Sequence, residues 1–312
     1  MTASPLRSRL AGGGTPRPAN WGVDSEYGVL RDVLLGPCDH YAWFPANAVA
    51  ARSERIGLKY DLEVAKAQHR ALAQAFETAG VKTHRLRPDP ALRYQIFARD
   101  SSVMTPWGAI IMQLQRPQRR GEYAECVRFL VENGIPIFDT VTAGAIEGGD
   151  LMVLAPGLAV CGLSGERSTE PAVLQVKAWF EAEGWEFHTY AFDPHFLHLD
   201  VQMGMIAPGL AAVCVEAVEP AFVDWLKARR IRILEVSYRE AMTMGCNVVA
   251  LGTGPGGDER VMIPAANTRL IGLCRAEGLT VAEVDVSMIA AGGGAVHCLC
   301  QPLRRDPAGP GA

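Results

Sequence analysis

No stretch of the 312-residue chain approaches the roughly twenty consecutive apolar residues that a membrane helix needs. Positive charge is not in excess either. Lys and Arg number 30 against 34 Asp and Glu, a formal net charge of −4. No basic surface therefore argues for nucleic acid or an anionic membrane. The first nineteen residues carry Arg7 and Arg9 but no apolar segment of the secretory kind. Residues 1–19 and 307–312 are expected to be flexible tails around a single domain at 20–306. A disulfide framework is missing too: the cysteines at 38, 126, 161, 214, 246, 274, 298 and 300 are scattered. A chain of this size does not need one. Reduced thiols and a cytoplasmic location are expected. Cys298 and Cys300 form a C-x-C pair with no second pair to complete a four-thiolate site, so neither a metal nor another cofactor is expected. What is present is an ordinary globular composition, 49% apolar and 21% charged, able to bury a large core.

The chain repeats itself. An amphipathic helical pattern ends, usually at Gly, and a β-rich segment follows. The junctions are Gly80, Gly134, Gly184, Arg230 and Gly278, about fifty residues apart, the period of radial or stacked repetition. Glycine there supplies a left-handed helix end. Apolar segments such as AIIMQLQ, LAVCGL, AAVCVEA and NVVALG leave room for more than one strand per repeat.

The reactive residues share a phase of this repeat. Asp100, Asp150, His198 and Cys298 each follow a junction by about fourteen to twenty residues, and equivalent positions in a closed ring face one axis. Asn247 occupies the same point of the fourth unit, where it either braces the ring or touches ligand.

A cysteine becomes a useful nucleophile when its thiolate is stabilised. Cys298 follows Gly292-Gly293-Gly294, which permits close backbone approach. His297 precedes it, but neighbours along an extended strand point to opposite faces. His198 is the better proton carrier. His198 and Asp200, two apart in a short extended segment, are expected on one side, with His195 in a loop or at the surface. Cys300 shares the parity of Cys298, on the same face or in the core. Glu147 and Asp150 flank two glycines and can line a cavity, and Asp100 has Arg99 beside it as a ready ion-pair partner. Carboxylates converging on a thiol repel one another unless they hold a cation. Magnesium or calcium would suit the oxygens but leave the cysteine unexplained. Zinc could take Cys298, His198 and an acid. A planar guanidinium matches carboxylates bidentately and offers its central carbon to the sulfur.

The ordered set of FARD at 97–100, EGGD at 147–150, GLSGERST at 162–169, HLD at 198–200, GCNVVALG at 245–252 and GGGAVHCLCQPLRR at 292–305 resembles the guanidine-modifying superfamily of the pentein fold. That superfamily includes arginine deiminases, dimethylarginine dimethylaminohydrolases and amidinotransferases. WGVDSEYGVLRDVLLGP at 21–37 resembles its opening strand, so the likeness spans residues 21 to 305. It implies an α/β fold, a five-bladed α/β propeller of ββαβ repeats, in agreement with the repeat count. It implies that Cys298 attacks the guanidinium carbon and that His198 protonates the departing amine and then activates water. Asp100 and Asp200 would clamp guanidinium nitrogens, and Glu147 would orient His198 and share the substrate's charge. Asp150 would hold the guanidinium or the amino-acid end, and Arg167 would receive a carboxylate.

Two departures bear on the substrate. Dimethylarginine hydrolases usually carry a non-acidic residue where this chain has Asp200, which favours deiminase-like or transferase-like chemistry. The chain also has no long helical insertion of the arginine deiminase kind, and so resembles the compact dimethylarginine hydrolases in size. The expectation is hydrolysis of arginine or an Nω-substituted arginine to citrulline and ammonia or an alkylamine, through a covalent thiouronium intermediate. The alternatives are an amidinotransferase and a non-catalytic binding propeller. The expected partner is a small guanidine, without nucleic acid or membrane; a homo-oligomer is allowed.

Overall fold

The computed structural model describes residues 14–45 and 47–308. The calls on residues 1–13 and 309–312 lie outside the described residues. Among the described residues, fifteen strands form five three-stranded sheets. The first repeat holds β1 (Leu30–Leu35), the helices α1 (Ala48–Arg55) and α2 (Leu62–Thr78), and β2 (Lys82–Arg85). The second has β3 (Ser102–Thr105), β4 (Gly108–Ile111), α3 (Glu122–Glu132) and β5 (Ile137–Thr140). The third has β6 (Leu151–Ala155), β7 (Leu158–Leu163), α4 (Glu170–Ala182) and β8 (Glu186–Ala191). The fourth has β9 (Met203–Ala207), β10 (Leu210–Val213), α5 (Pro220–Ala228) and β11 (Arg232–Glu235), followed by the single turn α6 (Tyr238–Ala241). The fifth has β12 (Val249–Thr253), β13 (Glu259–Pro264), α7 (Thr268–Ala276) and β14 (Thr280–Val284), followed by α8 (Ser287–Ala290). The last strand, β15 (Cys300–Arg305), returns to pair antiparallel with β1, which is parallel to β2. Each of the other four sheets has the same plan, an antiparallel hairpin and then a parallel strand reached through a helix. This is the five-bladed α/β propeller of ββαβ units.

Strand alternation explains how the ring packs. Successive side chains point to opposite faces of a sheet, and here both faces are covered by neighbouring blades. Val33 and Leu35 pack with Met262 and Val284 of the fifth blade, whereas Leu34 between them packs with Met104 and Ile111 of the second. Val153 packs toward the second blade, and Met152 and Leu154 toward the fourth. Met205 faces the third blade and Ile206 the fifth. The five apolar clusters thus lie between successive blades and close the circle. Strands buried on both faces read as continuous apolar runs rather than as alternating ones.

All five junction residues take the left-handed conformation, with φ of 82°, 63°, 79° and 86° at Gly80, Gly134, Gly184 and Gly278 and 61° at Arg230. After each helix and its parallel strand, the chain re-enters the next blade through a connection of ten to sixteen residues. Asp100 stands just before β3, Asp150 before β6, Asp200 before β9, Asn247 before β12 and Cys298 before β15. Equivalent loops of five blades therefore meet at one end of the ring.

Candidate active site

The loop carrying Cys298 is held by one side chain. Asn247 Oδ1 accepts the backbone N–H groups of Ala295 at 3.2 Å, His297 at 3.0 Å and Cys298 at 3.3 Å. Its amide Nδ2 lies 3.1 Å from Cys298 Sγ and 3.3 Å from the Asp200 carbonyl. Gly293 has φ 104°, and a Cβ there would come within 2.7 Å of the Asn47 side chain. Only glycine fits that turn.

Cys298 precedes β15 and lies in a turn, not in a strand. The parity argument therefore fails for its neighbours. His297 Nδ1 is 2.9 Å from Asp200 Oδ2, and Cys298 Sγ is 3.2 Å from the same oxygen. Cys300, within β15, is fully buried in the apolar core.

His198 caps a 3-10 turn over Leu199–Val201. That turn replaces the extended segment expected there and separates His198 from Asp200. The imidazole turns toward Glu147, Nε2 to Oε2 at 2.8 Å, and Nδ1 faces Asp100 Oδ1 at 3.9 Å. Asp200 turns the other way, to the thiol. Gly149 makes room for the ring: a Cβ there would lie within 2.7 Å of Nδ1. His195 is exposed beside Tyr238, Nε2 to the hydroxyl at 3.0 Å.

Electrostatics follow from burial and proximity. Burial alone would lower the His198 pKa, but Asp100, Glu147 and Asp150 outweigh it and raise it to about 9. Burial pushes the Glu147 carboxyl up, yet His198, Arg167 and Arg119 hold it well below the usual range. Burial pushes the Cys298 thiol well above its ordinary value, and Asp200 and Asp100 add to the rise. Those two carboxylates disfavour the thiolate until a cation joins them.

Arg119 is a residue that sequence reasoning missed. Its Nη1 donates to Asp100 Oδ2 at 2.8 Å, and its Nε and Nη2 grip Glu122 at 3.0 and 2.8 Å. It lies 5.7 Å from the Tyr94 ring centre and 5.9 Å from that of Phe97. Arg99, the expected partner of Asp100, turns instead to Glu26 at 2.6 Å. Arg167 donates Nη1 to Glu147 at 3.1 Å, and its buried Nε has no partner among the described residues. Nothing local in the run RPQRR at 116–120 marks Arg119, because only the tertiary fold sets it against Asp100.

One cavity joins these parts. Cys298, His198 and Asp100 line it, with Tyr94 and Phe97 as an aromatic wall, Arg116, Arg119 and Arg167 along one flank, and Asn47 and Leu197 at the rim. Four of the expected site residues, Glu147, Asp150, Asp200 and Asn247, are buried and stand behind the residues that line the cavity. Asp150, expected to hold substrate, is fully buried and outside the cavity lining, its oxygens bonded to Ser168 Oγ at 2.5 Å and the Leu199 N–H at 2.8 Å. It braces the turn that carries His198. Asn247 braces the nucleophile's turn and also stays outside the lining. Asp100, Glu147 and His198 bring three donor atoms within metal-ligating reach of one another. The Arg119 guanidinium already contacts both carboxylates, the second at 3.5 Å. A metal cation seated there would meet that positive charge.

The family model for eukaryotic N,N dimethylarginine dimethylhydrolase matches residues 46–305. The chain belongs to this family. Protein YkgA of Bacillus subtilis is 27% identical over 284 residues, 90% of this chain and 94% of that protein. The N(G),N(G)-dimethylarginine dimethylaminohydrolase of Pseudomonas aeruginosa is 27% identical over 250 residues, 79% of this chain and 91% of that one. The N-terminal domain of ArgZ, a cyanobacterial arginine dihydrolase, superposes with a TM-score of 0.75 at 19% identity, covering 88% of this chain and 98% of that domain. At that identity the likeness carries the fold. Family membership and the Asp100–Glu147–His198 cluster together support an enzyme that hydrolyses guanidines. Among the described residues, no helix is long and apolar enough to cross a membrane.

Proposed function

We propose that the protein hydrolyses the guanidinium group of a free amino acid, arginine or an Nω-substituted arginine, with Cys298 as nucleophile and His198 as proton carrier. The carrying observation is the shared cavity: the thiol and the imidazole both line it with Asp100, and Asp200 Oδ2 lies 3.2 Å from the sulfur. A guanidinium seated against Asp100 and Asp200 supplies the missing cation. It offsets the two carboxylates that hold the thiol protonated, so the thiol gives up its proton to solvent as substrate binds and thiolate forms where the electrophile already sits.

Sulfur then adds to the central carbon. His198, held protonated through neutral pH by its acidic neighbours, gives its proton to the departing nitrogen, and the C–N bond breaks. A thiouronium remains on Cys298. The neutral imidazole next takes a proton from water, whose oxygen adds to the same carbon, and the C–S bond breaks. The products are a ureido compound, citrulline from arginine, and ammonia or an alkylamine. Glu147 orients His198 through Nε2. Arg167, with an unpartnered Nε in the cavity wall, and Arg119 would receive the α-carboxylate. Asp200 favours an unsubstituted nitrogen, because a dimethylated one has no N–H to give it.

The test is incubation with arginine, Nω-methylated arginines and agmatine without any acceptor amine, read by mass spectrometry. Citrulline should form, agmatine should react far more slowly, and Cys298→Ser should abolish turnover at unchanged melting temperature. Full activity in Cys298→Ser would remove the nucleophile. An unaltered arginine-to-agmatine preference in Arg167→Ala would remove its carboxylate role.

A further inference from the structure

The mechanism above gives no part to the buried histidine next to the nucleophile. His297 is 4% exposed and lies between two carboxylates. Nδ1 is 2.9 Å from Asp200 Oδ2, and Nε2 is 3.6 Å from Glu26 Oε2. Burial pushes the Asp200 carboxyl up, but His297, His198 and the thiol together hold it below its usual value. An ionised carboxylate has no proton to give, so Nδ1 is the donor. The backbone N–H of His297 is tied to Asn247 Oδ1 at 3.0 Å, and Glu26 is held by Arg99 at 2.6 Å. The imidazole is thus fixed from three sides.

The consequence falls on Asp200. Its Oδ2 faces two groups, His297 Nδ1 and Cys298 Sγ, which pin the plane of the carboxylate. Its Oδ1 is buried and has no hydrogen-bond partner among the described residues. A buried carboxylate oxygen without a donor is unfavourable, so something must hold that orientation. Rotating the carboxylate would satisfy one oxygen at the expense of the other contact.

We propose that His297 is a positioning residue. It holds Asp200 with one oxygen on the thiol and leaves the other for a guanidinium N–H. The inference rests on the reading of the Cys298 site given above. The thiol touches Asp200 and also feels the charge of Asp100, and Asp200 touches His297 and also feels the charge of His198. His297 therefore acts on the sulfur through a single intermediary.

Asparagine and glutamine separate its two contacts. The amide nitrogen of Asn stands near the place of imidazole Nδ1, and that of Gln near the place of Nε2. His297→Asn keeps a donor for Asp200 and loses the reach to Glu26; His297→Gln does the reverse. Wild type, both variants and His297→Leu are compared in arginine turnover, in melting temperature and in the pH dependence of Cys298 alkylation by iodoacetamide. His297→Asn should keep kcat/KM within about threefold, whereas His297→Gln and His297→Leu should lose about ten- to a hundredfold, mainly in kcat. In the last two the alkylation midpoint should rise by about one pH unit, because a carboxylate relieved of its donor bears more strongly on the thiol. A merely structural histidine would lower the melting temperature of all three variants and leave the midpoint in place. Equal losses in His297→Asn and His297→Gln, or wild-type kcat/KM in His297→Leu, would overturn the proposal. Alkylation needs no turnover. A wild type inert toward every guanidine would defeat the reading of the site, while the shift in midpoint would still decide the part played by His297.

Discussion

His198 Nε2 and Glu147 Oε2 stand 2.8 Å apart with both side chains buried. The contact has a pH signature. The folded-state pKa of His198 is about 9, above the ordinary value of 6.5. A raised histidine pKa means that the folded state binds the proton more tightly than the unfolded one. This contribution is complete below about pH 6.5, declines as pH rises, and is gone once pH has passed about 9. Glu147→Gln keeps the shape and removes the charge. The alkaline limb of the kcat/KM profile should move to lower pH by about one unit or more. The loss of melting temperature between neutral pH and pH 9 should flatten in parallel. An alkaline limb unchanged in Glu147→Gln would separate His198 from that limb.

Asp150 supplies the opposite case, a carboxyl that gains by being neutral. Burial drives its pKa up to about 7 and Asp200 adds to the rise, against the lowering effects of His198, Ser168 and the Leu199 N–H. A carboxyl raised in this way favours the folded state below its unfolded pKa near 3.8, and the benefit is lost as pH climbs through about 7. Asp150→Asn can still accept the Leu199 N–H and meet Ser168 Oγ. It should fold, retain at least about a third of wild-type kcat/KM, and melt with less pH dependence between about pH 4 and pH 7. A large rise in KM for arginine would return Asp150 to the substrate-binding role expected from sequence.

The sequence disclosed the ring because its punctuation is local. A left-handed helix end selects glycine, and four of the five junctions carry it. The shared phase of Asp100, Asp150, His198 and Cys298 became a shared position, the loop entering the first strand of each blade. Side-chain direction was not legible in the same way. Alternation along a strand assumes a strand, and both HLD and HC fall in turns that stop just short of β9 and β15. That is why Asp200 parted from His198 and joined His297 at the thiol. Ion pairs were hidden for another reason. Arg119 meets Asp100, and Arg99 meets Glu26 73 positions away; no local pattern selects either partner.

The fifth junction offers a test of that punctuation. Arg230 adopts φ 61°, the region the four glycines occupy. At all four glycines an added Cβ would meet nothing within 4 Å, so the conformation, not crowding, selects the residue. A side chain in this region costs about 1–2 kcal/mol, partly offset by the greater chain entropy glycine loses on folding. Arg230→Gly should therefore stabilise the fold by about 0.5–1 kcal/mol, a rise of about 1–3 °C in melting temperature. Catalysis should not change. A lower melting temperature would show that the Arg230 side chain contributes more than its backbone costs.

Leu197 carries a second non-glycine strain, this time at the cavity rim. Its φ of 59° and ψ of −68° form a γ-turn, closed by the His198 N–H on the Phe196 carbonyl at 2.5 Å. That turn is rare and strained for an L-residue. Strain of this kind costs about 1–3 kcal/mol and persists only where the surroundings enforce it. Here it sets the backbone of the proton carrier. Leu197→Ala removes the side chain and keeps the strain; Leu197→Gly removes both. Glycine is normally worse than alanine in a folded chain by about 0.5–1 kcal/mol. At this position the order should invert, with Leu197→Gly the more stable by about 1 kcal/mol or more. Its kcat should nevertheless fall about tenfold below that of Leu197→Ala, because the imidazole is no longer held at its angle. Denaturant melts and steady-state kinetics on the pair decide the matter. Leu197→Gly less stable than Leu197→Ala would mean that the turn stores no strain, and equal kcat in the two would mean that it does not orient His198.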